Sequence, residues 1–204
     1  MGGVGSGVLV EGDVEAGVGE PLTLTIPPTW MAVDNIPGST VFVTPDAPPP
    51  GDPAVVFMRP AFLADPSQPG ADVAEQVWWP LDDIEGWSEE LIDGIITAEP
   101  VRTEIGGRGA WYLEVDITDP EVCGPFGHCA GFVINAFLGP SFVSAWSFEP
   151  GYHQRIWWVD GGDQPPLAVI ASTPSDDRSG QTQADALLDS VVFGEPGPHP
   201  VDTE

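Results

Sequence analysis

The chain contains no lysine: its five basic residues are all arginines, Arg59, Arg102, Arg108, Arg155 and Arg178. That absence excludes a phosphate-loop lysine, a Schiff-base lysine and a Ser–Lys dyad. Against the five stand 32 acidic residues, for a formal net charge of −27. Nucleic acid and anionic bilayers both recruit cationic side chains, so neither is expected as a partner. The charge favours solubility in a saline or extracellular medium, a cationic partner, or Ca²⁺. Long apolar runs are also missing, which excludes a transmembrane segment. Met1 to Val18 carries Glu11, Asp13 and Glu15, with no basic start and no long apolar stretch. It does not read as a secretion signal, and a trimmed or mis-called start is expected.

Cysteine is scarce too, and its placement is informative. Cys123 and Cys129 stand in Cys-Gly-Pro-Phe-Gly-His-Cys, with Gly124, Pro125 and Gly127 between them to make a turn. An isolated pair at that spacing reads as a short disulfide loop, worth about 2 kcal/mol by loop-closure entropy. The competing reading is a metal site formed by both sulfurs, His128 and the distant His153; tetrahedral zinc needs four such ligands, and no metal is expected. A disulfide places the protein outside the reducing cytoplasm, secreted or at the cell surface through an anchor missing here.

What the sequence does hold is a folded domain. Its 204 residues are 42% hydrophobic and only 18% charged, unlike a disordered acidic polymer. Residues 1–20 read as a flexible, acidic, Gly-rich lead-in, 21–194 as a single domain, and 195–204 as a loose Pro-rich tail.

Within the domain, Leu22 to Ile26 alternates with period two and ends at Pro27-Pro28. Ser39–Thr44 and Ala54–Met58 flank a Pro-rich turn and read as a hairpin. Pro60 to Pro80 looks irregular. A helix is expected from Asp82 or Asp83, with Asp82 and Glu85 as a capping box and Ile84, Trp87, Leu91 and Ile95 as its apolar stripe. Val101–Ile105 and Trp111–Ile117 flank the Gly-rich turn Gly106-Gly107-Arg108-Gly109. In the second of these strands Trp111, Leu113, Val115 and Ile117 share one face, and Tyr112, Glu114 and Asp116 the other. Strands follow over Gly131–Phe137, Ser141–Phe148, Tyr152–Asp160 and Leu167–Ser172. A second helix, from about Ser179 or Gln181 to Asp189, is expected to carry Ala184, Leu187, Leu188 and Val191 inward. The sum is α+β: a mainly antiparallel β-sheet with two helices packed on it, on one face.

Four segments of this order carry a family resemblance. They are Pro28-Thr29-Trp30 after the first strand; Val101 to Glu114 with its Gly-rich turn; Arg155-Ile156-Trp157-Trp158-Val159-Asp160-Gly161; and Val169-Ile170-Ala171-Ser172, a helix, then Leu188 to Phe193. In that order the chain resembles a family of small actinobacterial exported proteins and lipoproteins with a Mog1/PsbP-like α/β fold. The resemblance spans residues 20 to 194 and implies accessory or binding domains without an agreed catalytic centre. The chain departs from it in lacking lysine and an export signal.

No catalytic motif emerges. The nucleophile elbow Gly-x-Ser-x-Gly is absent, and Ser141, His128 and His153 have no spacing that supports a Ser-His-Asp set. Asp82-Asp83, Asp176-Asp177 and the Asp160 to Asp163 turn lack a Ca²⁺-loop pattern and read as helix caps and turns. His153 reads as an ordinary strand residue, and His199 falls in the tail. The remaining lead is eight tryptophans. Trp157 and Trp158 are adjacent on a strand, so they must point to opposite faces. Trp78, Trp79, Trp157, Trp158 and Tyr152 are therefore the candidate ligand-binding residues, although tryptophan in such a domain is ordinarily core. The expected function is a non-catalytic extracytoplasmic binding or accessory domain for an unknown small molecule or protein, with no cofactor. The alternatives are a hydrolase using paired carboxylates in an aromatic-lined cleft, and a purely structural surface protein.

Overall fold

Alternation along the strands decides the architecture, because each strand of a two-sided sheet must satisfy two cores at once. The computed structural model describes residues 8–9, 12–15, 18, 22–36, 39–43, 53–65, 78–91, 94–123, 131–135, 144–162 and 164–194. The chain runs β1 (Val8–Leu9), β2 (Gly12–Glu15), β3 (Leu22–Ile26), β4 (Met31–Ile36), β5 (Ser39–Val43) and β6 (Ala54–Met58). It continues with β7 (Phe62–Ala64), β8 (Trp78–Trp79), α1 (Ile84–Glu89), β9 (Ile95–Thr97), β10 (Val101–Ile105) and β11 (Arg108–Ile117). After a short helical turn (Pro120–Val122) come β12 (Gly131–Asn135), β13 (Ser144–Ser147), β14 (Tyr152–Val159), β15 (Leu167–Pro174), α2 (Arg178–Asp189) and β16 (Val192–Phe193).

A nine-stranded sheet runs β1-β4-β5-β6-β15-β14-β11-β10, with β9 also paired to β11. Two smaller sheets, β13-β12-β7-β8 and β16-β3-β2, complete the fold. Every strand pairing among the described residues is antiparallel. The expected α+β class is the observed one.

The large sheet is covered on both sides. Val55, Phe57, Val159, Val169 and Ala171 face a core closed by β3 and by Ala184, Leu187 and Leu188 of α2. Val56, Met58, Leu113, Ile156, Trp158 and Ile170 face a second core with Ile84 and Trp87 of α1 and Leu63 of β7. All five residues of β6 are consequently buried. The helices thus lie on opposite faces, not on one as the sequence pattern suggested. Apolar stripes show that a helix packs, but not on which side of a sheet whose strands are apolar on both.

Four further expectations need correction. The first helix stops at Glu89, and Ile95 belongs to β9, because Gly94 takes φ 98° between them. Its cap is Asp83, whose carboxylate accepts the Gly86 N–H at 3.1 Å, rather than Asp82. The segment from Pro60 to Pro80 supplies β7 and β8 despite its prolines. Residues 1–20 supply β1 and β2, and Val18 is buried in the α2-side core. β4 was also missed, its apolar pattern being interrupted by Asp34 and Asn35.

Candidate functional site

Tryptophans join the layers of this fold through their indole N–H groups. Trp30 donates to Gln183 Oε1 on α2 at 2.7 Å, and Trp87 donates to the Ala64 carbonyl at 2.8 Å. Trp146 donates to buried Gln154 at 2.9 Å. Trp79 donates to the Asp83 carbonyl at 3.0 Å, and Trp158 to the Leu81 carbonyl at 3.1 Å. A buried indole needs such a partner, so these rings are structural anchors as well as apolar bulk.

The five aromatic candidates do not converge. Trp158 is buried on the α1 face, and half-buried Trp79 packs against that same core. Tyr152 is half-buried at the start of β14, with the parity of Trp158. The side chain of Trp78 lies outside the described residues. Trp157 lies on the α2 face, as strand alternation requires, and its ring packs against the α2-side core; among the described residues its indole makes no hydrogen bond.

What surrounds Trp157 is a polar strip that the sequence did not single out. β11 and β14 pair so that Tyr112 lies opposite Trp157, Glu114 opposite Arg155 and Asp116 opposite His153. The Tyr112 and Trp157 rings meet at 5.1 Å with a 53° tilt. The Tyr112 hydroxyl donates to Glu114 Oε1. His153 Nδ1 lies 3.0 Å from Asp116 Oδ2. α2 reaches across to the strip: half-exposed Asp185 accepts from Arg155 Nη1 at 2.5 Å. The Arg155 guanidinium also stands 5.7 Å from the Trp157 ring centre. Burial, and then the Glu114 carboxylate, push the Tyr112 phenol well above its ordinary range, so it remains a donor.

Arg155 is the unusual member. Only 15% of its side chain is exposed. Its Nε and Nη2 are buried and find no acceptor among the described residues. These two nitrogens share one edge of the guanidinium, the edge that presents two parallel N–H donors. Glu114, opposite Arg155 in the ladder, accepts from the Tyr112 hydroxyl. The hydroxyl of Thr173, opposite His153 on β15, is likewise buried without a partner. Unsatisfied buried donors are rare in folded proteins and call for an explanation.

The strip does not assemble a hydrolytic relay. His153 and Asp116 form the orienting half of one, yet the Thr173 hydroxyl is fully buried and bonds to neither. His128, Ser141, Asp163, Cys129 and His199 lie outside the described residues. The other carboxylate pairs act as expected: Asp83 caps α1, Asp177 caps α2 by accepting the Gly180 N–H at 2.9 Å, and Asp160 closes a turn onto the Gly162 N–H at 3.0 Å. No group of His, Cys, Asp and Glu suited to a metal occurs among the described residues. Cys123 is half-buried against the α1-side core and is not a free thiol.

The class defined here is an antiparallel α+β domain, with a half-buried aromatic and polar strip beside its second helix. No helix among the described residues is long and apolar enough to cross a membrane. The chain is similar to the crystal structure of LpqN, involved in cell envelope biogenesis of Mycobacterium tuberculosis. The two are 12% identical, with 89% of this chain and 88% of that chain covered and a TM-score of 0.44. A crystal structure from Bacteroides thetaiotaomicron VPI-5482 is similar at 12% identity and a TM-score of 0.39, covering 93% of this chain and 51% of that one. At these scores the likenesses carry no argument about function. No protein-family model and no curated protein matches the sequence.

Proposed function

We propose that this protein is a non-catalytic, extracytoplasmic binding or accessory domain of Mog1/PsbP-like type, and that its ligand docks on the strip around Arg155 and Trp157. The observation that carries the reading is the unpaired donor edge of Arg155 beside the half-buried Trp157 ring, whose indole N–H joins no other layer among the described residues. Of the five aromatic candidates this retains Trp157 as the contact residue. Trp79 and Trp158 serve as anchors of the α1 face. The Cys123–Cys129 bridge belongs to the same proposal, because it would hold the turn after β11 in an oxidising compartment.

One observation favours a hydrolase instead: Glu114, Asp116 and Asp185 all border the strip. Screening against glycosides and esters separates the two readings. The binding domain predicts turnover at background, unchanged in Glu114→Gln, Asp116→Asn and Asp185→Asn. Turnover that any of these substitutions abolishes overturns it. Mass spectrometry with and without reductant tests the compartment: a gain of two hydrogen atoms, supplied by the reductant, is expected on reduction, and two thiols in the untreated protein overturn that part.

A further inference from the structure

We infer that the strip takes an uncharged carbohydrate, an inference that rests on the binding-domain reading above and specifies its ligand. Arg155 Nε and Nη2 offer two parallel donors with no acceptor among the described residues, so the ligand must present oxygen acceptors. Carboxylates and phosphates are the usual partners of that edge. Here, however, Glu114, Asp116 and Asp185 flank it, and the chain as a whole carries −27. A second anion would meet that field at short range. The acceptor is therefore a neutral oxygen.

A cation is no better suited. Arg155 itself already stands by the Trp157 ring, at 5.7 Å, in the position a cationic ligand would use. What remains is a neutral molecule with both hydroxyl donors and oxygen acceptors, and with an apolar face to lie on an aromatic ring. A pyranose or furanose ring has all three. Its C–H face would stack on Trp157, its oxygens would accept from Arg155, and its hydroxyls would donate to the flanking carboxylates. Tyr112 plays a positioning part. By holding Glu114, it keeps that carboxylate from closing the Arg155 edge directly opposite in the ladder. Since that edge is buried in the free protein, the Trp157 ring or half-exposed Asp185 must yield for a sugar to enter. Trp157 is thus the natural reporter.

The test is nuclear magnetic resonance on the whole chain, following the Trp157 indole N–H and the Arg155 Nε–H. The probes are neutral gluco-, manno-, galacto- and arabino-oligosaccharides, with oligogalacturonate, choline and short neutral peptides in parallel. Saturable shifts of both signals with at least one neutral oligosaccharide are expected. Affinity should fall about ten-fold or more in Trp157→Leu and in Arg155→Met, each checked for retained fold by circular dichroism. Shifts produced only by oligogalacturonate, choline or peptide overturn the carbohydrate and leave the binding domain standing. If no probe moves either signal at millimolar concentration, both readings fall.

Discussion

The two faces of the large sheet use the same strands and reach different ends. On the α1 face, Leu113, Val115, Ile156, Trp158 and Ile170 form a dry core, and the Trp158 indole is satisfied by a backbone carbonyl. On the α2 face, the alternate residues of β6 and β15 are equally dry. Toward β14 and β11, however, the face turns to Trp157, Arg155, His153, Tyr112, Glu114 and Asp116. Adjacent tryptophans one residue apart therefore have opposite meanings. A face that buries donors without partners does not maximise stability, and the proposed ligand site rests on that difference.

The largest test of that contrast is substitution of the two neighbours. Trp158→Ala removes a ring that is 4% exposed and its bond to Leu81, and should cost about 3–5 kcal/mol. Trp157→Ala removes a half-buried ring that packs on Tyr112 and on the edge of the α2-side core, and should cost about 1–2 kcal/mol. Urea unfolding, read as midpoint shifts at unchanged slope, measures both. Equal losses would show that the α2 face is as structural as its opposite.

Next in size is a substitution where α2 docks. A Cβ on Gly180 would lie 2.3 Å from Pro53 Cγ and 2.4 Å from the capping Asp177 Oδ2. Gly→Ala in a helix ordinarily gains about 1 kcal/mol. Here overpacking against the start of β6 should reverse the sign, for a loss of about 1–3 kcal/mol. A raised unfolding midpoint in Gly180→Ala would mean that α2 does not seat as described.

Arg155→Met tests the polar strip from the other direction. It deletes two unsatisfied buried donors and leaves Asp185, half-exposed, free to hydrate. The ligand-free protein should become more stable by about 1 kcal/mol while ligand binding is lost. A destabilised Arg155→Met protein would identify the guanidinium as a structural tie and remove the case for a ligand site at this edge.

How much of this was legible in the sequence follows from what each signal encodes. The alternation of Trp111 to Ile117 fixed which face of β11 is apolar, and Leu113 and Val115 are indeed buried together. The hairpin of β5 and β6 and the inward face of α2 were legible for the same reason. The strip was not. Its members come from β11, β14, β15 and α2, and only the antiparallel register sets Glu114 against Arg155 and Asp116 against His153. A local sign was nonetheless present at the helix starts. Asp83-Ile84-Glu85-Gly86 and Asp177-Arg178-Ser179-Gly180 share an Asp-x-x-Gly cap, in which the aspartate accepts the glycine N–H. The capping-box pattern, with an acidic residue three positions on, points instead to Asp82. The odd parity shared by His153, Arg155 and Trp157, against Tyr112, Glu114 and Asp116, was a second usable sign, since two polar-aromatic faces of that length have reason to pair.

The smallest expected effect concerns Tyr112. Burial and the Glu114 carboxylate favour its protonated form in the folded chain, so its folded pKa lies above the ordinary value of 10.0. Its stabilising contribution is then complete below pH 10.0. Above that value the unfolded chain begins to release the proton while the folded chain retains it, and stability declines as the pH rises further. Tyr112→Phe removes this loss. It should change stability near neutrality by no more than a few tenths of a kcal/mol, because Glu114 is released to pair with Arg155 across the ladder. Above pH 10.0 its unfolding midpoint should fall less steeply than that of the parent, with Tyr152, the other tyrosine of the chain, common to both proteins. The same substitution should weaken ligand binding at neutral pH, since a Glu114 turned onto Arg155 closes the donor edge. Parallel alkaline profiles together with unimpaired binding would show that Tyr112 does not hold Glu114 away from the Arg155 edge, and its positioning part would fall.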